Sequence, residues 1–215
     1  MKKKILFIFS LSVVSALTLG AIYSSALDPF TDSIRKVESQ LESNKQLQDK
    51  VLVEIGDTKV TNVELANLKA NKLVEANPVI DESTLLKEIV VDKLFLELAD
   101  DEGVTATYDE GKKEAERMRA LLATQSKKVQ DTQKNFIELR GLTEEEYWTE
   151  YAPSEYQEQL TLQNLGQLLI KQGKIGVDKD SNTNLGQDLI KFKEQLLTDA
   201  LSKGDVKIVD NSINF

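Results

Sequence analysis

Runs of acidic residues are the first candidates for chemistry in this sequence. Asp100-Asp101-Glu102 and Glu144-Glu145-Glu146 place carboxyl groups side by side, as general acid–base catalysis requires. The second run falls in the first turn of a predicted helix, where the helix dipole favours acids, and the first lies at a solvated helix end. Neither has the apolar surroundings that raise the pKa of a carboxyl group. We therefore interpret both as surface residues and predict no catalytic residue.

Aromatic side chains form the sharpest candidate for a binding site. Tyr147, Trp148 and Tyr151 lie three and four positions apart on one helical face, and Tyr156 follows beyond Pro153. Trp and Tyr make adaptable contacts, so an open groove lined by these four residues would bind unfolded client segments. Alternatively, they pack the inner face of a long helix that Pro153 kinks. Both interpretations remain open from the sequence.

One polar loop resembles the start of a calcium site. Asp178, Asp180 and Asn182 provide oxygen donors at alternate positions. The full calcium pattern needs Gly at its sixth position and Glu at its twelfth, where this chain has Thr183 and Leu189. We interpret the loop as a polar turn and predict no metal. The sequence has no Gly-rich phosphate loop either, so no cofactor is expected.

The composition excludes several classes of protein. The 215 residues include 36 acidic and 27 basic side chains, a net charge of -9, with no His and no Cys. Without His and Cys there is no His-based catalytic pair, no ordinary zinc site and no disulfide. The acidic balance argues against nucleic acid as a partner, because binding of nucleic acid needs a basic face.

The N-terminus is typical of a secreted protein. Three lysines precede an uncharged run, Ile5 to Tyr23, and small residues follow up to Ala26. The segment 1–26 is either a signal peptide cleaved after Ala26 or a retained anchor, since the run approaches the roughly 20 residues that span a bilayer. Both alternatives place the rest outside the cytoplasm, touching the membrane only through this segment. Loss of residues 1–26 removes the three lysines and leaves 189 residues with a side-chain charge of -12.

Hydrophobic patterning places the candidate residues on a mainly α-helical chain. Residues 27–50 are polar with a thin apolar seam, which predicts a helical spacer that either separates the domain from the membrane or packs on it. Residues 81–102 are apolar around nearly their whole circumference, as in a central buried helix. Thr61, Thr107 and Thr143 each begin a Thr-x-x-Glu capping box, which predicts a helix start.

Short strands are predicted at both ends of this helical region. Val51–Ile55 alternates like a strand, and Val206–Val209 follows the last helix. A lone strand must find a partner, because unpaired backbone groups are costly. We therefore expect the two segments to pair and to draw the ends of the domain into one small sheet.

This order of elements resembles a known family. It is similar to the N-terminal chaperone module of the SurA/PrsA peptidyl-prolyl isomerases and, more distantly, to trigger factor. The resemblance covers residues 51–209 and implies a helical chaperone domain over 51–215, whose sheet the C-terminal strand completes. The segments that carry the resemblance are a strand with a Gly-Asp turn and a Thr-capped helix, an apolar helix that ends in Glu-Gly-Val-Thr, and the later helices and strand: Val51–Leu65, Leu86–Thr107, Gly141–Gln172 and Leu185–Val209.

The chain departs from this family at the site of its catalytic domain. The parvulin domain would lie between Gln172 and Leu185, where a short linker (173–183) stands instead. The smallest independent domains need about 50 residues. The resemblance thus implies an ATP-independent holdase that binds unfolded or partly folded secreted proteins without isomerase activity. The alternative is a membrane-tethered adaptor that binds one dedicated envelope partner. The sequence leaves open the identity of clients and the oligomeric state.

Overall fold

The structure is a computed structural model that describes residues 27–73, 81–176 and 183–210. A π-helical turn, Tyr147–Tyr151, joins the short helix Glu144–Glu146 directly to the long helix Ala152–Lys171. The predicted leader with its cleavage site at Ala26 lies outside the described residues. Residues 177–182, which include the calcium-like positions Asp178, Asp180 and Asn182 of the polar loop, lie outside them too. In chain order the elements are α1 (Leu27–Asn44), β1 (Val51–Ile55), β2 (Thr58–Thr61), α2 (Asn62–Lys72), α3 (Glu82–Asp101), α4 (Tyr108–Ala123), α5 (Lys127–Leu139), α6 (Glu144–Glu146), α7 (Ala152–Lys171), α8 (Thr183–Lys203) and β3 (Val206–Ile208).

Three antiparallel strands form one small sheet in the order β2-β1-β3. The C-terminal strand pairs with the N-terminal one in the register Val53 to Ile208 and Ile55 to Val206. An ion pair of 2.6 Å between Lys50 Nζ and Asp210 Oδ2 lies at one end of this pairing. The prediction that the two ends of the domain meet in one sheet is confirmed, and so is the mainly α-helical fold.

The first hydrophobic core lies against this sheet. Strand residues such as Val53 and Ile55 are fully buried there, together with Leu85 and Leu86 of α3. Phe192 of α8 packs edge-on against Phe95 of α3, with ring centroids 5.9 Å apart. The apolar character of α3 around its circumference follows from this position between the sheet, α7 and α8.

The helix starts follow the capping pattern of the sequence. At α2, α4 and α6 the hydroxyl of the capping Thr accepts the amide N–H of the Glu three residues on, and the Glu carboxylate accepts the Thr N–H. These bonds hold the pKa of Glu110 and Glu146 below the usual glutamate range, because they favour the ionised form. The three predicted capping boxes are confirmed.

Helix α1 packs on the domain. Its residues Val37 and Asn44 are buried. The Asn44 side-chain amide donates a 2.9 Å hydrogen bond to Oδ1 of the buried Asn67 on α2. A buried amide pair of this kind fixes the helix, since separation would leave both groups unsatisfied. Of the two alternatives for residues 27–50, the structure therefore favours packing of α1 on the domain.

A second hydrophobic core lies among α4, α5, the π-helical turn and the first half of α7. Helices α4 and α7 approach very closely at Gly111. A Cβ atom there would lie 2.2 Å from the carbonyl oxygen of Pro153 and 2.7 Å from the amide nitrogen of Gln157. Only glycine fits this crossing. Helix α7 therefore links the two cores, because its later residues Leu165 and Leu169 belong to the first.

Candidate functional site

The four aromatic residues predicted to bind clients pack inside the second core. Tyr147, Trp148 and Tyr156 are 1%, 7% and 3% exposed, and Tyr151 is half-buried. The ring of Tyr147 stacks on Tyr151 with centroids 5.5 Å apart and meets Trp148 edge-on at 4.9 Å. Of the two interpretations, the structure shows the packed one: burying these large rings against each other stabilises the core, and Tyr147, Trp148 and Tyr156 present no open face to a client.

Polar groups at the rim of this cluster hold it in place. Arg140 Nη1 donates a 2.7 Å hydrogen bond to the Tyr151 hydroxyl. The same guanidinium lies 4.4 Å from the centroid of the Phe136 ring and 5.1 Å from that of Tyr151, within the range of cation–π attraction. Burial raises the pKa of the Tyr147, Tyr151 and Tyr156 hydroxyls above their ordinary value. These rings are therefore neutral structural groups.

The π-helical turn accommodates Pro153, which follows it in the sequence. Pro153 has no N–H to donate to the Thr149 carbonyl four residues earlier. The helix widens instead, and the Ala152 N–H bonds to Tyr147 O, five residues back. The Tyr108 hydroxyl of α4 donates to the Thr149 carbonyl at 3.3 Å. The interruption predicted at Pro153 is thus a π-helical turn. The Tyr108 hydroxyl of α4 satisfies the Thr149 carbonyl that Pro153 cannot reach.

A cavity lies on the other side of α7, between that helix and α3. Its volume is about 330 Å³. Asp100 and Thr105 are exposed whereas Thr161 is buried, so the cavity opens past Asp100 and closes at Thr161. Six of the seven residues that line it have polar side chains, although carbon atoms contribute much of its surface; the lining residues are Leu96, Asp100, Thr105, Ser154, Gln157, Glu158 and Thr161.

A carboxyl group with an unusual pKa faces this cavity. The pKa of Glu158 is raised from the ordinary 4.5 to about 7, chiefly by burial and then by the neighbouring charge of Glu155. Lys93 opposes this shift and Asp92 adds to it. Burial also raises the pKa of Asp92, although Lys193 lies 3.3 Å from its carboxylate. A carboxyl group that titrates near neutral pH in a cleft is a candidate functional group.

The floor of the cavity is built by α7 side chains that bind the extended link Val104–Ala106. The Thr161 hydroxyl accepts the Ala106 N–H at 3.0 Å, and Gln157 Nε2 donates to the Ala106 carbonyl at 2.9 Å. Asn164 Nδ2 donates to the Val104 carbonyl at 3.2 Å. These side chains, at spacings of four and three, satisfy backbone groups that have no strand partner. They fix the link and hence the position of Thr105 in the cavity wall.

Apart from Asp100, which lines the cavity, the acidic residues singled out in the sequence do not contribute to it. Glu146 serves its capping box and Glu145 pairs with Arg119 at 3.1 Å. Across residues 27–73, 81–176 and 183–210, no group of three or more acids is placed to hold a metal ion. Glu158 was not predicted as a site residue, because it lies among polar residues, a pattern typical of a solvated helix face. Gly111 was not predicted either, although Gly111 and Ala115 are small residues four apart, a spacing that allows close helix contact.

Comparison with known proteins adds no relative. No protein-family model, curated protein or solved structure matches this chain. None of the helices in the described part of the chain is both long enough and apolar enough to cross a bilayer.

Proposed function

We propose that this protein is an ATP-independent holdase that binds unfolded or partly folded secreted proteins outside the cytoplasm, without isomerase activity. The observation that carries the proposal is the pairing of β1 with β3, with only residues 172–182 between α7 and α8. This is the arrangement that the SurA/PrsA resemblance implies for a chaperone module without its parvulin domain. A segment of this length is too short for an independent catalytic domain.

Client contact in this proposal uses the edge of the sheet. Strand β3 is the last strand in the order β2-β1-β3, and edge strands pair readily with extended chains. Ile208 at the end of β3 and Val209 just beyond it are 37% and 48% exposed. An extended client segment would pair with the backbone of β3 and cover these two side chains. Binding would be weak and reversible, because each client segment loses conformational entropy when it is ordered.

Aggregation assays on several unrelated denatured proteins test the holdase proposal. The wild-type chain is expected to delay light scattering at equimolar ratios. The double variant Ile208→Thr/Val209→Thr is expected to lose most of this protection while keeping a β-branched strand. Lys207→Thr is the matched control, because Lys207 is exposed on the same strand. Absence of protection by the wild type for every client, or equal protection by the double variant and the control, would overturn the proposal as stated.

A second candidate function is a membrane-tethered adaptor for one folded envelope partner. The burial of the aromatic cluster favours it, because a general holdase needs a broad apolar surface. The large apolar side chains that are exposed in the described residues are scattered over the fold, with Tyr108 and Leu121 near opposite ends of α4, Ile208 at the end of β3 and Val209 just beyond it; the others are Leu47, Ile170 and Ile190. An adaptor would protect no denatured client yet capture one partner from envelope extracts at a fixed stoichiometry.

Absence of isomerase activity is tested separately. Proline isomerisation in a set of short peptides is expected to proceed at the uncatalysed rate, tens to hundreds of seconds, in the presence of the protein. Acceleration that survives repurification would contradict this part of the proposal. It would leave the holdase assay unaffected, since that assay measures aggregation and not isomer exchange.

A further inference from the structure

The cavity between α3 and α7 has carboxyl groups but no basic group in its wall. Asp100 comes from α3 and Glu158 from α7, and the remaining lining residues are neutral. Leu96 supplies an apolar surface within the same wall. The cavity therefore combines negative charge with a short apolar stretch, a combination that complements a cation on an aliphatic stem.

The nearby lysines balance this charge only in part, because each of them pairs with a different carboxylate. Lys93 Nζ lies 3.0 Å from the Glu64 carboxylate, and Lys193 Nζ lies 3.3 Å from Asp92. Glu158 makes no hydrogen bond or ion pair with any of the residues that the structure describes. A half-buried carboxyl group without such a partner is costly when it is ionised. An external cation would remove that cost by supplying both charge and hydrogen-bond donors.

We propose that this cavity binds the ammonium group of a lysine side chain, with Glu158 and Asp100 as its carboxylate partners and Leu96 against its methylene groups. The hydroxyl groups of Thr105 and Ser154 complete the set of acceptors. A volume of about 330 Å³ lies at the lower end of the range for ligand pockets, which suits one side chain. The inference rests on the proposed function, because it supplies the part of a client that the acidic protein recognises.

Binding of a lysine analogue to the full-length chain tests the inference. The probes are Nα-acetyl-lysine amide and its uncharged counterpart Nα-acetyl-norleucine amide, titrated by NMR or calorimetry. The lysine amide is expected to bind and the norleucine amide is not. Glu158→Gln should weaken lysine binding by about tenfold or more, as loss of one charge-assisted hydrogen bond does. Glu116→Gln, on the exposed face of α4, is the matched control and should leave it unchanged.

The pH dependence of affinity provides a readout that a purely structural role would not move. A bound ammonium favours the ionised form of Glu158, so affinity should rise between pH 5.5 and 8 in the wild type and stay nearly flat in Glu158→Gln. The charged groups that face Glu158 are Glu155 on its own helix and Asp92 and Lys93 on α3. An equal pH profile in both proteins would overturn the assignment to Glu158.

The remaining comparisons distinguish a lysine side chain from a free diamine as the ligand. They also distinguish failure of this inference from failure of the holdase proposal. Tighter binding of cadaverine than of lysine amide would show a free diamine site and overturn the side-chain assignment. Equal binding of both amides, or no effect of Glu158→Gln, would overturn the inference itself. The holdase proposal fails independently, when the wild type protects no client. If the wild type protects clients but Glu158→Gln protects a lysine-rich client equally well, only the inference fails.

Discussion

Replacement of Glu158 by Gln should stabilise the protein at neutral pH and leave it unchanged in acid. The folded-state pKa of Glu158 is about 7, whereas an unfolded chain has the ordinary value of 4.5. Between these values the folded protein keeps a proton that the unfolded chain has released, so the free energy of unfolding falls as pH rises. At about 1.4 kcal/mol per pH unit the gap corresponds to about 3 kcal/mol. Partial contact with solvent screens the Glu158 charge, so this free-energy difference is an upper limit.

The free energy of unfolding, measured for each variant at several pH values, tests this prediction. Urea unfolding at pH values from 4 to 8, followed by Trp148 fluorescence and by circular dichroism, gives the free energy of unfolding of each variant. Glu158→Gln should match the wild type near pH 4 and exceed it by as much as about 3 kcal/mol at pH 8. Glu116→Gln, an exposed residue, should stay within about 0.5 kcal/mol of the wild type throughout. A constant difference at all pH values, or a loss of stability at pH 8, would refute this account of Glu158.

Three further predictions concern the helix packing around the cavity and the pairing of the sheet. Gly111→Ala should lower stability by about 2 kcal/mol or more, because its Cβ would overlap backbone atoms of α7, whereas Gly166→Ala in open space should gain about 0.5–1 kcal/mol; chemical denaturation measures both. Thr161→Val should lower stability by about 1–3 kcal/mol by leaving the Ala106 N–H unsatisfied, with the exposed Thr198→Val as control, and exchange of the Ala106 amide should accelerate. Val206→Asp should unfold the sheet, since it buries a charge opposite Ile55, whereas Lys207→Thr should be nearly neutral; near-ultraviolet spectra would report the difference.

Features that depend on local bonding could be predicted from the sequence. The capping boxes at Thr61, Thr107 and Thr143 require only a Thr and a Glu three positions apart, so the local sequence is enough to predict them. The pairing of β1 with β3 is a long-range feature, yet it was predictable because an isolated strand has few ways to satisfy its backbone. Gly103 adopts a positive φ of 67° at the end of α3, as its place after an apolar helix indicates.

Features that depend on how two helices meet could not be predicted in the same way. Glu158 and Glu155 are three positions apart in a polar stretch, the usual pattern of a solvated helix face. Their raised pKa values arise from the packing of α7 against its neighbours, which no local pattern encodes. Helix α5 shows the same limit: it begins at Lys127 in a polar stretch, and the polar side chain of Gln133 is buried on its inner face.

The aromatic cluster and the cavity are parts of one arrangement, although only the cavity is open. An α-helix turns by about 100° per residue, so the extra residue that the π-helical turn accommodates rotates all of α7 by about that angle relative to α6. Tyr147 and Tyr151 clamp this turn in the second core, and Gly111 locks α4 against Pro153 just beyond it. The rotation that results directs Glu158 towards α3. The aromatic residues therefore set the direction of the helix that carries Glu158.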